Sequence, residues 1–286
     1  MDAALKPRIR PPAGAFPLIR ETVRSLGLQT VCQEARCPNQ GECWSGGTAT
    51  FLAMGDTCTR GCKFCHVRTR PRGQPLDPEE PAKLAAAVRR WGLRYAVITS
   101  VDRDDLPDQG AGHLAACVRA VRATGARVEA LVPDFRGERD PLAMVAAAEP
   151  DVLAHNLETV ERLQHPIRDP RAGYRQSLGV LAAARELGMR ITKSSLMLGL
   201  GETEAEVLQA LQDLRAAGVD MVTLGQYLQP SSRHWPVRHY LGEEEWARVR
   251  ALAEGQGFAH VAAGPLVRSS YRAGEAFAER LLAGKH

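Results

Sequence analysis

No stretch of the chain carries the roughly 18 consecutive apolar residues that would suggest a membrane-spanning helix. The N-terminus is Pro-rich and charged where a secretory signal would be apolar. A soluble, cytoplasmic protein with no membrane span is therefore expected. A basic stripe is missing too: 37 Lys and Arg stand against 33 Asp and Glu, a net charge of +4 scattered along the chain. A nucleic-acid surface usually needs such a stripe with aromatics interleaved, so no nucleic-acid partner is expected. A mild basic excess at Arg60, Lys63, Arg68, Arg70 and Arg72 reads as a site for an acidic partner or as a solvated loop. Tandem repeats and low-complexity tracts are absent. What remains is an ordinary globular balance of 44% hydrophobic and 24% charged residues in 286, enough for a sizeable core.

Seven cysteines are present, and in a reducing compartment they are poor candidates for a disulfide framework, which leaves metal binding or catalysis. Their positions are uneven. Cys32, Cys37, Cys43, Cys58, Cys62 and Cys65 crowd one N-terminal segment, while Cys117 stands alone in a helical-looking stretch and reads as a small buried apolar residue.

Beyond that segment, short β-like runs alternate with Ala-rich helical runs, the pattern of successive βα units around a parallel sheet. Strands are expected at 50–54, 95–100, 127–132, 151–154, 190–197 and 221–225. Helices are expected to begin near Pro78, Gly112, Pro141, Ala172 and Thr203. Six units predict an α/β fold of the partial (βα)6 TIM-like barrel type, with a doubly wound sheet as the alternative. A further helix at 243–256, a strand at 259–263 and a helix at 273–283 read as a C-terminal addition. Residues 1–17 read as an extended arm. The expected division is 1–48 for an arm with the first cysteines, 49–230 for the barrel and 231–286 for the C-terminal extension. Ligand-facing groups belong at strand C-termini.

Cys58-Thr-Arg-Gly-Cys62-Lys-Phe-Cys65 is a C-x3-C-x2-C array just after a strand. Three thiolates leave one iron of a 4Fe-4S cubane open to an external amino and carboxylate group. Zinc held by these cysteines and His66 is the plainer alternative, but His66 adjoins Cys65 and suits a tetrahedral site poorly. Upstream, Cys32, Cys37 and Cys43 form a C-x4-C-x5-C array, a second incomplete set. Two separated triplets argue for two clusters.

The first array resembles the signature of radical S-adenosylmethionine enzymes. The second, with its flank Asn39-Gln-Gly-Glu-Cys43-Trp44, resembles the lipoyl synthase family, as do Thr99-Ser-Val-Asp102-Arg103-Asp104-Asp105, His155-Asn156-Leu-Glu158-Thr159, Lys193-Ser-Ser, Met197-Leu-Gly199-Leu-Gly201-Glu202, Gln226-Tyr-Leu-Gln229-Pro230 and Arg268-Ser269-Ser270-Tyr271. The likeness covers nearly the whole chain past the arm. One departure is Gln109, where the family pattern has glycine.

The resemblance implies a sulfurtransferase that uses S-adenosyl-L-methionine and two 4Fe-4S clusters to place two sulfur atoms at C6 and C8 of a protein-bound octanoyl-lysine. Cys58, Cys62 and Cys65 would hold the radical-generating cluster. Cys32, Cys37 and Cys43, with a serine as fourth ligand, would hold an auxiliary cluster that gives up sulfur. Ser270 is preferred to Ser269, though nothing in the sequence separates them. Asn156, Glu158 and Lys193 are nominated as S-adenosylmethionine contacts, and Gly199-Leu-Gly201 as a place where backbone could approach the adenine. The stretch 102–105 is read as a positioner of Arg103, a brace of the barrel mouth, or a solvated loop. Expected partners are an octanoylated lipoyl-carrier domain or glycine cleavage H protein, and a low-potential electron donor such as ferredoxin or flavodoxin. The rivals are another radical sulfur-inserting enzyme and a zinc-stabilised binding protein.

Overall fold

The computed structural model describes residues 14–34, 37, 39–45 and 50–270. Seven parallel strands run in sequence order: β2 (Thr50–Ala53), β5 (Tyr95–Ser100), β6 (Arg127–Leu131), β7 (Val152–Ala154), β8 (Thr192–Leu198), β9 (Met221–Gln226) and β10 (His260–Gly264). A short β1 (Gln29–Thr30) pairs antiparallel with β2 at the far edge. Another short parallel pair, β3 (Thr57–Cys58) and β4 (Arg68–Thr69), brackets the second cysteine array. Sequential βαβ steps place each new strand beside the last with its helix outside, and among the described residues the sheet ends at β1 and β10 without these two pairing, so the barrel is open.

Strand parity divides the sheet into two faces. Ala96 and Ile98 of β5, with Val128 and Ala130 of β6, pack outward with Leu84 and Val88 of α4 (Glu80–Trp91) and Leu114, Val118 and Val121 of α5 (Ala111–Arg122). Leu196, Leu198, Val222 and Leu224 do the same on the other half, against α9 (Glu204–Ala216) and α10 (Glu243–Glu254). Each large aliphatic side chain so buried contributes about 1.5–3 kcal/mol. The alternate residues face inward. Tyr95, Val97, Val152, Ile191 and Met221 form a small apolar cluster there. Beside it, Lys193 donates to both Glu129 oxygens at 2.9 and 2.8 Å, and Tyr95 donates to Glu129 at 2.7 Å.

The six expected strands and the helix starts agree with the structure to within about two residues. Strand 259–263 belongs to the barrel rather than to an addition: β10 pairs with β9 over five residues and becomes the seventh parallel strand. The expected arm up to residue 13 lies outside the described residues, whereas residues 16 and 17, also expected in it, instead open α1 (Phe16–Leu26), which has Pro17 in its first turn and is closed by Gly27 at φ 66°. Its Ile19 and Val23 pack with Cys32 and Trp44 in a satellite cluster under the first cysteines. The helix expected at 273–283 lies outside the described residues.

After β7, buried His155 donates from Nδ1 to Val132 O at 2.9 Å and accepts at Nε2 from Ser177 Oγ at 3.0 Å. Burial, and then the Arg168 charge, push its pKa from 6.5 down to about 4. The unfolded chain therefore takes up a proton that the folded chain refuses. Stability is complete above about pH 6.5 and falls as the pH drops toward 4, by up to roughly 1.4 kcal/mol per unit from this group. Thermal unfolding of wild type and His155→Gln between pH 7.5 and 5.5 should show a steeper loss for wild type; equal slopes would remove His155 from the account.

Candidate active site

After β2 the chain turns through Met54 at φ 67° and enters the second cysteine array. Met54 N donates to the Glu80 carboxylate, and Glu80 is bonded to His113 Nε2 at 2.6 Å. Cys117 lies close enough to complete a three-ligand group with these two, but Glu80 and His113 are committed to each other and to the turn, and Cys117 is packed in the outer core.

Each side of the array is tied to a different barrel loop. The Cys58 thiol donates to Asp102 Oδ2 at 3.6 Å and accepts from Arg60 N at 3.4 Å. Cys62 Sγ accepts from Asp169 N at 3.3 Å, while Gly61 N donates to Asp169 Oδ2 at 2.8 Å. Lys63 N reaches Ile167 O at 2.7 Å, Trp235 N reaches Lys63 O at 2.8 Å, and His234 Nε2 lies 3.1 Å from Cys65 O. Burial pushes the Cys62 thiol up to about 11 and Cys65 up to about 12, and drives Cys58 up further still, with the Asp102 charge adding to it. Glu158 and Asp102 also raise Cys62 and Cys65. Three half-buried thiols that are neutral alone and would release their protons to bind a cation as thiolates are a fitting donor set for an iron-sulfur centre.

Cys32 lies in α2 (Val31–Glu34), Cys43 in α3 (Gln40–Ser45), and Cys37 falls between the two helices. Cys37 N donates to Cys32 O at 3.1 Å and Cys43 N to Asn39 O at 2.8 Å. Burial, then Cys37, push Cys32 up to about 11; burial also raises Cys37, against the pull of the Arg268 guanidinium. His66 Nδ1, 3.1 Å from Glu34 O, joins the two cysteine segments.

The chain beyond β10 returns to this region. Asn39 Nδ2 donates to Leu266 O at 2.6 Å, and Thr50 Oγ1 donates to Ser270 Oγ at 2.8 Å. Thr50 opens β2 and Ser270 follows β10, so this segment links the first and last of the parallel strands. Gly225, on the inward face of β9, makes room for it: a Cβ there would lie 2.1 Å from Val267 O. Ser270 is thus bonded to the residue whose backbone also bonds Cys32. Ser269 is half-buried beside it.

The three nominated S-adenosylmethionine contacts separate. Asn156 and Glu158 sit past β7 near the second triplet: Asn156 Nδ2 donates to Glu158 Oε1 at 3.2 Å, Asn156 Oδ1 is buried with no partner, and Glu158 stands at φ 69°. Burial raises the Glu158 carboxyl, although the Arg168 charge opposes it. A buried amide oxygen with no partner, beside a carboxyl that accepts from that same amide, suits a cationic, hydroxyl-bearing ligand. Lys193 differs. It is the second residue of β8, deep in the barrel, and its ammonium is consumed by Glu129, so a direct cofactor contact is replaced by a structural ion pair. Gly199, at φ 93°, packs against Gln226 Nε2 and His239 O, which accounts for the glycine without a ligand.

Two further expectations are corrected. Arg60 is no part of a basic surface: its side chain is 2% exposed and bonds Asp104 and Asp134. The stretch 102–105 is likewise not solvated, since Arg103 is buried against Asp105 under Gly73 and Asp104 holds Arg60. Gln109 occupies φ 53°, the backbone region that favours glycine, and its buried amide donates to Phe135 O at 3.2 Å. Sequence reasoning missed Asp134, Asp169, Arg171, Thr50 and Asn39. The one available signal was Arg60 itself, since a guanidinium between two cysteines requires acidic partners.

Residues 52–224 match the Radical SAM superfamily model. Two solved structures share the fold: the FeFe-hydrogenase maturase of Carboxydothermus hydrogenoformans (TM-score 0.58, 13% identity, 94% of this chain and 78% of that one) and methylornithine synthase (TM-score 0.56, 13%, 96% and 93%). The barrel and its three-cysteine loop therefore define a radical S-adenosylmethionine enzyme, which uses that cofactor and a 4Fe-4S cluster. A lipoyl synthase of Anaeromyxobacter sp. (strain Fw109-5) is 55% identical over 281 residues, 97% of this chain and 96% of that protein. One from Thermus thermophilus is 57% identical over 273 residues, 94% and 84%. The chain belongs to the lipoyl synthase family. No helix among the described residues is long and apolar enough to cross a membrane.

The close approach at Gly225 yields a specific expectation. Gly225→Ala forces Val267 O to move, at a cost of about 1–3 kcal/mol. Hydrogen exchange should speed up in 266–270 while the strands 95–100 and 127–131 keep their protection. Unchanged exchange in 266–270 would show that the segment is not seated on β9.

Proposed function

We propose that the chain inserts sulfur at C6 and C8 of an octanoyl group amide-linked to a lysine of a lipoyl-carrier domain or glycine cleavage H protein, with electrons from a ferredoxin or flavodoxin. Cys58, Cys62 and Cys65 hold the radical-generating cluster, and Cys32, Cys37, Cys43 and Ser270 hold a second one. The observation that supports this reading is the contact of Ser270 with Thr50 at 2.8 Å, Thr50 being the residue whose backbone bonds Cys32. Among rivals, a zinc-stabilised binding protein gives no reason for two separate three-cysteine arrays joined at His66.

Saturated C–H bonds carry no acidic proton, so the side chains here cannot activate them by acid-base catalysis. When bound, the clusters and S-adenosylmethionine supply one-electron hydrogen abstraction and the sulfur. The chain's own residues bind and orient. Asn156 Oδ1 and the Glu158 carboxyl accept from the amino or hydroxyl groups of S-adenosylmethionine; loss of one such bond weakens its binding roughly tenfold. The Ser270 oxygen is a harder donor than a thiolate, which leaves its iron the easier one to release.

Incubation of the anaerobically reconstituted enzyme with S-adenosylmethionine, dithionite and an octanoyl-lysine peptide should add two sulfurs to the peptide. Ala variants of Cys58, Cys62 and Cys65 should form no 5′-deoxyadenosine. Ala variants of Cys32, Cys37, Cys43 and Ser270 should form it without sulfur transfer. A normal lipoyl yield from Ser270→Ala would remove that ligand, and the same assay on Ser269→Ala shows whether its neighbour serves instead.

A further inference from the structure

Thr59 and Arg60 separate Cys58 from Cys62, and both point at one carboxylate. Asp104 accepts from Arg60 Nε and Nη2, each at 2.9 Å, in a two-pronged pair, and from Thr59 Oγ1 at 2.9 Å. Its backbone N returns a bond to Thr59 Oγ1 at 3.0 Å. Two more cations arrive from other loops. Arg136, after β6, donates to Asp104 Oδ1 at 3.1 Å and to Asp104 O at 2.7 Å, and Arg171, before α8 (Tyr174–Glu186), lies 3.3 Å from Oδ2. Arg171 also donates to Thr59 O at 2.7 Å and grips Asp169, whose backbone N bonds Cys62 Sγ.

The Asp104 side chain is 6% exposed and that of Arg60 2%, so these are charges held away from water, where removal of one partner is far costlier than at a surface. The arrangement carries backbone strain as well. Phe135 and Arg136 stand at φ 46° and 53°, consecutive non-glycine residues in the left-handed region, and that bend delivers Arg136 to Asp104. Three loops from three different strand ends therefore meet at one carboxylate, and none of the meeting groups is itself a thiol.

We infer that Asp104 is a positioning residue: it gathers Thr59, Arg60, Arg136 and Arg171 and so sets the spacing and polar surroundings of Cys58 and Cys62. This rests on the reading that Cys58, Cys62 and Cys65 hold the radical-generating cluster. Bidentate Arg–carboxylate geometry fixes both distance and plane, whereas a single hydroxyl would fix only distance. Backbone N–H groups of Arg60 and Asp169 aimed at two sulfurs are among the levers that tune the potential of such a centre, and both belong to residues locked by this arrangement.

The test compares wild type with Asp104→Asn, which keeps shape and removes charge. In cluster-free protein, maleimide labelling mapped by peptide mass should speed up at Cys58, Cys62 and Cys65 and stay unchanged at Cys32, Cys37 and Cys43. In the loaded protein without S-adenosylmethionine, iron at the second triplet should be lost to a chelator roughly 10–100 times faster, and the midpoint potential of that centre should move while the other stays put. Equal acceleration at both triplets would mean general loosening and overturn the inference, as would unchanged labelling with an unchanged potential. Should Asp104→Asn fail to fold, Arg136→Ala removes a half-exposed arm and should shift labelling in the same direction by less; no shift there also overturns it. The labelling reads the thiols before any cluster is present, so its outcome is independent of whether sulfur insertion is the right activity.

Discussion

A guanidinium between two cysteines of the C-x3-C-x2-C array is the constraint from which the mouth of this barrel follows. Arg60 has almost no contact with water, and an unpaired buried cation would cost several kcal/mol. Its partners Asp104 and Asp134 sit just past β5 and β6, where a parallel barrel delivers its loops, so satisfying the charge also fixes the cysteine array against those two strand ends. Asp102, pushed up to about 6 chiefly by burial despite Arg60, stands between the guanidinium and the Cys58 thiol. Electrostatics thus does at this loop what apolar packing does on the outer face of the sheet.

The second constraint is the open seam. Among the described residues the seven parallel strands do not close, and the first and last of them, β2 and β10, are joined by the Thr50–Ser270 contact, through the segment after β10, instead of by a ladder. The same segment accepts from Asn39 among the first cysteines, a contact 227 residues apart in sequence. These contacts link the first triplet to the seating of residues 266–270, with Gly225 as the point where a side chain would interfere. His66 against Glu34 O ties the two cysteine segments directly.

Local spacing made the cysteines legible: a C-x3-C-x2-C array after a strand states its chemistry within eight residues. Strand and helix positions were legible for the same reason, since buried parallel strands read as short apolar runs. What the sequence could not reveal was vertical position inside the barrel. Lys193 lies on the inward face as an S-adenosylmethionine contact would, but one level too deep, where Glu129 waits. Arg60 was counted with Arg68, Arg70 and Arg72 as basic excess because its acids arrive from 44 and 74 residues away. Helix α1 was hidden by the Pro- and Arg-rich arm before it. Gln109 shows the reverse: a departure from glycine that the backbone still treats as a glycine site, with an amide to Phe135 O in partial compensation.

The central claim is that the first triplet's cluster is the source of the inserted sulfur while the second drives the chemistry. It is tested most directly by rebuilding the clusters with heavy-isotope sulfide, exchanging free sulfide away, and weighing the product peptide after one turnover. The account predicts heavy sulfur at both inserted positions and about one lipoyl group per chain before repair. Product sulfur drawn from unlabelled sulfide added to the assay, with the labelled cluster still intact, would contradict it.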